Sequence, residues 1–354
     1  MAEVATRQYS PQERAAMFNT LTRQNEGIVE SQTGAEGGIL RFSIPKTQLL
    51  AGAKIMITAT LNAIHASVAT YAPHEDSPWK FINRIKLAYN GHFDPFSITG
   101  QGLALYNRTL RRNADFNTGT SGRGPIVQGV VSSSSTGTDN VVRLIVELPT
   151  KFNPRDAMGL IMANNNETLI DVEVTLGTKA DLAPAASGYT FALSNIVVSL
   201  ITETFSIPAP VAARPSVSTL KLVTERLENM IVGENTFKLP TDLVYRKLGF
   251  ITYNSTPARQ ADSIITGNIE VIMSTAKSPY KIPAAILAAK NTTQYGSDLP
   301  TGMYMFDWSD NGVPNLGGIR DYIDTREVTE FWLRFTSTTA GTCRIVYEAA
   351  NNMG

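Results

Sequence analysis

Over most of its length the chain alternates between apolar and polar residues with a period of two. Leu40, Phe42 and Ile44 are interleaved with Arg41 and Ser43, and Ile55, Ile57, Ala59 and Leu61 with Met56, Thr58 and Thr60. Ile85, Leu87 and Tyr89 follow. Then come Val142, Leu144, Val146 and Leu148 against Arg143 and Glu147, and Ile170, Val172, Val174 and Leu176 against Asp171, Glu173 and Thr175. Successive side chains of a strand point to opposite faces, so each run sets one face on a core and the other in a wetter layer. Many short strands of this kind, separated by Gly, Pro, Asn and Ser turns, predict an all-β chain built of sandwiches.

The N-terminal stretch reads differently. Ser10-Pro11-Gln12-Glu13 has the form of a capping box with proline at the first helical position. Ala16, Met17, Phe18 and Leu21 follow at helical spacing, and Gly27 is a plausible stop. The spacing predicts a short amphipathic helix over residues 11–26, then a flexible stretch through Ser31-Gln32-Thr33-Gly34 and Gly37-Gly38. Between Ile207 and Pro215 the chain reads Ile-Pro-Ala-Pro-Val-Ala-Ala-Arg-Pro, whose prolines suit an extended linker. The expected organisation is an N-terminal arm at 1–35, a first sandwich at 36–207, a linker at 208–215 and a second sandwich at 216–354. A chain of 354 residues is long enough for two such cores.

An internal repeat supports the division. Phe42-Ser43-Ile44-Pro45, with Leu49 following, is answered by Phe237-Lys238-Leu239-Pro240, with Leu243 following. Each is succeeded by a strand, Ile55 to Leu61 and Leu248 to Tyr253. Asn83-Arg84-Ile85-Lys86-Leu87 then leads to the helical Leu103-Ala104-Leu105-Tyr106-Asn107-Arg108. In the same way Asn268-Ile269-Glu270-Val271 leads to Ile286-Leu287-Ala288-Ala289-Lys290, with Pro283 at a helix start. Gly159-Leu160 and Val172-Glu173-Val174 match Gly318-Ile319 and Leu333-Arg334-Phe335. The first half is longer chiefly through residues 109–140, a Gly-, Ser-, Thr- and Asn-rich segment expected to form a long surface loop.

Composition narrows the function. Hydrophobic residues make up 43% of the chain, while Lys+Arg and Asp+Glu are both 31, a formal net charge of zero. Proteins that coat nucleic acid carry a basic excess, because phosphate contacts dominate their affinity. Here only Arg108, Arg111 and Arg112 cluster, and direct nucleic-acid binding is not expected. The single cysteine, Cys343, lies in a strand pattern and allows neither an intrachain disulfide nor a thiolate metal cage. The N-terminus has no basic region followed by an apolar run, and no apolar stretch approaches the ~18 residues of a membrane span. Synthesis in a cytoplasm is the expectation.

One stretch also carries a family likeness. Phe81-Ile82-Asn83-Arg84-Ile85-Lys86-Leu87-Ala88-Tyr89-Asn90-Gly91, followed by Gly102-Leu103-Ala104-Leu105-Tyr106-Asn107-Arg108, resembles the strand-to-helix passage of double jelly-roll capsid proteins. Thr301-Gly302-Met303-Tyr304-Met305-Phe306-Asp307 looks like the late strand of that family. Residues 324–336 and 342–348 look like the strand pair that closes its second sandwich. Length and N-terminal helix are most similar to the major capsid proteins of tectiviruses, tailless phages with an internal membrane. The resemblance implies two tandem eight-stranded jelly rolls and a homotrimer of roughly hexagonal outline that tiles an icosahedral virion shell. It also implies minor capsid proteins as partners and no cofactor. Met17, Phe18 and Leu21 are then the candidate residues for contact with the internal lipid membrane or a neighbouring capsomer.

Two other function classes were weighed. A cupin-like metalloenzyme needs clustered histidines, but His65, His74 and His92 form no His-x-His pair, and His74-Glu75-Asp76 reads as a solvated loop. Gly119-Thr120-Ser121-Gly122-Arg123-Gly124 lacks the strand and helix of a phosphate loop, and no nucleophile elbow is present. Glu225 with Glu228, and Asp321 with Asp324, fall at helical or turn spacing and earn no acid–base assignment. A carbohydrate-binding host-attachment sandwich would expose aromatics. Trp79, Trp308 and Trp332 sit instead in or beside strand patterns, where packing is the default.

Overall fold

The computed structural model describes residues 10–46, 48–90, 93–110, 131–152, 159–162, 169–208, 210, 214, 219–254, 258–274, 277–309 and 322–352. Sixteen principal strands carry the fold. In the first half they are β1 (Gln24–Thr33), β2 (Ile39–Ser43), β3 (Leu49–His65), β4 (Ile82–Tyr89), β5 (Phe93–Ile98), β6 (Thr138–Pro149), β7 (Ile170–Leu176) and β8 (Tyr189–Phe205). In the second half they are β9 (Thr219–Met230), β10 (Gly233–Lys238), β11 (Val244–Tyr253), β12 (Ile265–Met273), β13 (Lys277–Pro283), β14 (Met303–Asp307), β15 (Phe331–Ser337) and β16 (Gly341–Asn352). Three helices accompany them: α1 (Pro11–Leu21), α2 (Gly100–Arg108) and α3 (Ala284–Tyr295).

The first half pairs its strands as β1-β8-β3-β6 in one sheet and β5-β4-β7-β2 in the other; the second half pairs them as β9-β16-β11-β14 and β13-β12-β15-β10. Each half is therefore an eight-stranded jelly roll, and the two have the same strand order. A helix occupies the same place in both, α2 between β5 and β6 and α3 between β13 and β14. Strand pairing also puts the repeated sequences in one register. Phe42 lies opposite Val172, and Phe237 opposite Leu333. The two helices repeat a contact to the atom. The Asn107 amide donates to the Glu147 carbonyl (3.3 Å) and accepts from its N–H (2.8 Å) on β6. The Asn291 amide does the same with Met305 on β14, at 2.7 and 3.0 Å. An amide that closes both bonds with one strand residue fixes the helix at one height above the sheet.

The alternation read from the sequence is the burial pattern: Ile55, Ile57, Ala59 and Leu61 of β3 and Leu144, Val146 and Leu148 of β6 face the first core. At ~25 cal/mol per Å² of apolar surface, each such side chain contributes about 1.5–3 kcal/mol. The second core is centred on Phe250, Tyr304, Phe306, Phe331 and Phe335.

Several expectations are corrected. α1 ends at Leu21, not near Gly27, and residues 24–33, expected to be flexible, form β1, the edge strand of the first roll. Nearly all of β1 is exposed, so Gln, Asn, Glu and Ser occupy both of its faces and hide the period-two signal. The ends of the 109–140 segment are structured: Thr109 is buried, Val131–Ser133 pairs with Ala69–Tyr71, and β6 begins at Thr138. Its centre, with Arg111, Arg112 and Gly119 to Gly124, lies outside the described residues, as do His92, Gly318, Ile319, Asp321 and most of the 208–215 linker. β15 and β16 do not pair with each other; they lie in different sheets.

Candidate functional site

The chemistry of this chain is concentrated where the two rolls meet. A short parallel pairing, Phe96 with Val223 and Ser97 with Thr224, joins β5 to β9 and makes one sheet run through both rolls. The first core continues across the junction through Val223, Ile251, Met305 and Val346. α2 lies against β11 and β16 of the second roll. Leu105 leans over Gly249, where a Cβ would come within 2.9 Å of its methyl group. Gly102 sits so close to Glu225 that a Cβ would stand 2.3 Å from the carboxylate.

Five charged groups are buried here. Glu348, 1% exposed, accepts from Arg246 Nη1 at 3.0 Å and from the Tyr106 hydroxyl at 2.7 Å, with Lys221 Nζ at 3.6 Å. Lys247 donates to the Thr109 hydroxyl at 2.9 Å and lies 3.5 Å from Asp307, which also accepts from Tyr295 at 3.1 Å. Arg246 and Lys221 both stand over the Phe152 ring, at 5.0 and 5.4 Å. Burial by itself raises the Glu348 carboxyl, but Lys221, Arg246 and Lys247 outweigh it and hold the group down at about 2. For Lys221 burial dominates over the neighbouring carboxylate and pushes the ammonium down to about 7. Tyr106 and Thr109 belong to the first roll and Arg246, Lys247 and Glu348 to the second, so the network ties the halves together.

A second polar cluster closes another part of the junction. Arg344 donates to Glu225 (2.6 Å), Thr99 (3.0 Å) and Gln101 (3.0 Å), and Gln101 donates on to Asp76 (2.7 Å). Asp76 also receives Arg259 at 2.5 Å, whose backbone N–H donates to Glu75. Burial, the largest influence, keeps Glu225 above the ordinary carboxylate range despite Arg344.

The loop His74-Glu75-Asp76 is therefore not a solvated loop. Asp76 is buried, and both carboxylates already face a guanidinium from the second roll. His74 accepts from the Asp76 N–H at 3.1 Å, and burial, then Lys80, lowers the ring below its ordinary value. Glu225 and Glu228 lie on strand β9 and take separate partners, Arg344 and Arg226. Among the described residues no group of three or more His, Cys, Asp or Glu side chains is arranged to hold a metal ion. Cys343 is fully buried, which raises its thiol. Trp79 is buried, Trp308 stacks on Phe306, and Trp332 lies under Lys238.

The three N-terminal candidates separate. Ser10 and Glu13 form the expected capping box. Phe18 is 5% exposed, packed on Leu49, Ala51 and Leu160 of its own roll and 5.4 Å from the Phe205 ring. Met17 is half-buried, and Leu21 is 47% exposed. Phe18 thus finds its apolar partner inside the chain, and Leu21 faces outward. Among the described residues no helix is long and apolar enough to cross a membrane.

The buried ions were not found from the sequence, although a signal existed. Arg246 and Lys247 interrupt the otherwise apolar run Val244 to Tyr253, and a pair of cations inside a central strand needs buried counter-charges.

No protein-family model and no curated protein matches the chain. Solved structures do. The STIV MCP, from Sulfolobus turreted icosahedral virus, is similar at TM-score 0.72 and 13% identity, over 93% of this chain and 97% of that one. The VP54 protein of PBCV-1 matches at TM-score 0.59 and 9% identity, over 99% and 95% of the two chains. The major capsid protein P2 of bacteriophage PM2 matches at TM-score 0.54 and 11% identity, over 94% and 98%. These likenesses extend over both rolls and their junction. The chain has the double jelly-roll fold of viral major capsid proteins.

Proposed function

We propose that the protein is a major capsid protein of a virion, which forms homotrimers of pseudo-hexagonal outline that tile an icosahedral shell around an internal membrane. The observation that carries this reading is the duplication: two rolls of identical strand order are locked by buried ions into one block. Three such blocks present six similar rolls, and a near-six-fold object packs against six neighbours with few kinds of interface. The zero net charge suits a protein crowded against many copies of itself. Its partners are other copies of itself and minor capsid proteins, with no direct role for nucleic acid. In this reading α1 lies on the inner side of the shell. Phe18 anchors it to the first roll, and Leu21 with Met17 contributes a weak contact to lipid or a neighbouring capsomer, multiplied over many copies. Sedimentation of the purified chain tests the proposal: trimers are expected at micromolar concentration, and monomers alone across a wide concentration range would defeat it.

A further inference from the structure

The two rolls can be superposed residue by residue through their pairing, starting from Asn107 on Glu147 and Asn291 on Met305. Glu147 pairs with Lys54, Lys54 with Ile201, and Ile201 with Ile28. In the second roll Met305 pairs with Gly249, Gly249 with Val346, and Val346 with Glu225. Ile28 therefore occupies the place of Glu225, and by the same register Glu203 occupies the place of Glu348. On the helices, Ile286 stands where Gly102 does and Lys290 where Tyr106 does, each at the same distance in sequence from its asparagine.

The equivalent faces differ in what covers them. In α2, Gly102 and Tyr106 are buried against the second roll. In α3 the corresponding face, Ala285, Ile286, Ala289 and Lys290, is exposed, and Ile286 is 60% exposed. The matching receptor strand differs in the same way. β9 is partnered by β5, whereas among the described residues β1 has no strand on its outer edge, and Ile28 on it is 64% exposed. One half of a head-to-tail contact is thus bare at each end of the chain.

We infer that a second copy of the chain occupies both bare faces, with α3 of one copy seated on β1 and β8 of the next, repeating between chains the contact that α2 makes within one. The inference rests on the coat-protein reading above and names the surface that reading requires. The two faces are complementary. Ile286 meets Ile28, apolar on apolar, where the internal contact has Gly102 beside Glu225. Lys290 approaches Glu203, a cation meeting a carboxylate where the internal contact has Tyr106 donating to Glu348. Bulk is exchanged as well, since Leu105 over Gly249 becomes Ala289 over Lys54. The Ile286–Ile28 pair is larger than Gly102–Glu225, so the helix stands further from the sheet between chains than within one. A contact of this kind is heterologous, and it closes into a ring when the rotation per chain divides the circle.

The test uses the full chain with two kinds of variant. Ile286→Glu and, separately, Ile28→Glu change exposed side chains; each is expected to abolish the trimer in sedimentation while leaving the circular dichroism spectrum and melting temperature unchanged. The double variant Ile28→Cys/Ile286→Cys, in a chain whose one native thiol is buried, is expected to give disulfide-linked dimers and trimers that reduction dissolves, with each single variant staying monomeric on the gel. A wild-type trimer that survives both glutamate substitutions and yields no cross-link would overturn this surface and leave the coat reading standing. A wild-type chain that never trimerises would bring down both.

Discussion

The two rolls share a frame and differ in what fills it. Ile170, Val172 and Val174 of the first roll correspond by register to Phe331, Leu333 and Phe335 of the second, and Ile55, Val146 and Leu148 to Phe250, Tyr304 and Phe306. All twelve are buried. The aliphatic core belongs to the roll with long strands, 17 residues in both β3 and β8, and the aromatic core to the roll whose matching strands have 10 and 12. Shorter strands supply fewer inward positions, and larger rings make up the volume, with Phe250 stacked on Phe335 at 5.0 Å and on Tyr304 at 5.1 Å. The lesson is that strand order follows from period-two burial and turn placement, while side-chain size adjusts to the space that strand length leaves.

The largest expected effect comes from breaking the link between the rolls. Glu348→Gln leaves Arg246 and Lys221 buried opposite a neutral amide, and the loss is expected to be about 3–5 kcal/mol in urea unfolding. Because the network spans the junction, both rolls should unfold together in the wild type and separate into two transitions in the variant. A single transition of unchanged midpoint would contradict the assigned role.

A smaller effect sharpens the claim of a shared frame. Asn107→Ala and Asn291→Ala each remove an amide that satisfies one strand residue twice, and each should cost about 1–3 kcal/mol. Near-equal losses fit a repeated device. A loss confined to one roll would mean the correspondence is only geometric.

The smallest effect distinguishes the two ions beside each other. Lys221 falls to about 7 in the fold from 10.5, so between those values the unfolded chain holds the extra proton and stability should rise with pH. Glu348 lies at about 2 against 4.5, so its contribution is complete above 4.5 and is lost as pH falls toward 2. Lys221→Met keeps the stem over Phe152 and leaves Arg246 to neutralise Glu348, and should change stability at pH 7 by less than about 1.5 kcal/mol. The alkaline rise should vanish in this variant and the acid loss should persist; pH scans of the melting temperature decide the matter.

Much of this architecture was legible in the residues themselves. Strands with one buried face announced themselves by alternation, and the Phe42 and Phe237 repeats fell in their true register because each packs against the same neighbouring strand. β1 escaped because an edge strand exposed on both sides carries no period. The helix face at Ile286 and the buried pair Arg246-Lys247 escaped for a related reason. Whether a residue is exposed or paired there depends on partners more than a hundred residues away in the chain or, on the present proposal, in another copy. Phe18 was rightly marked as an anchoring side chain, but its anchor is the base of its own roll.

The central claim is that two locked rolls make one third of a six-sided object. Electron microscopy of the purified protein tests it most directly. The account predicts particles with three-fold symmetry and a hexagonal outline, each corner region one jelly roll; a field of separate two-lobed monomers, or of two-fold dimers, would contradict it.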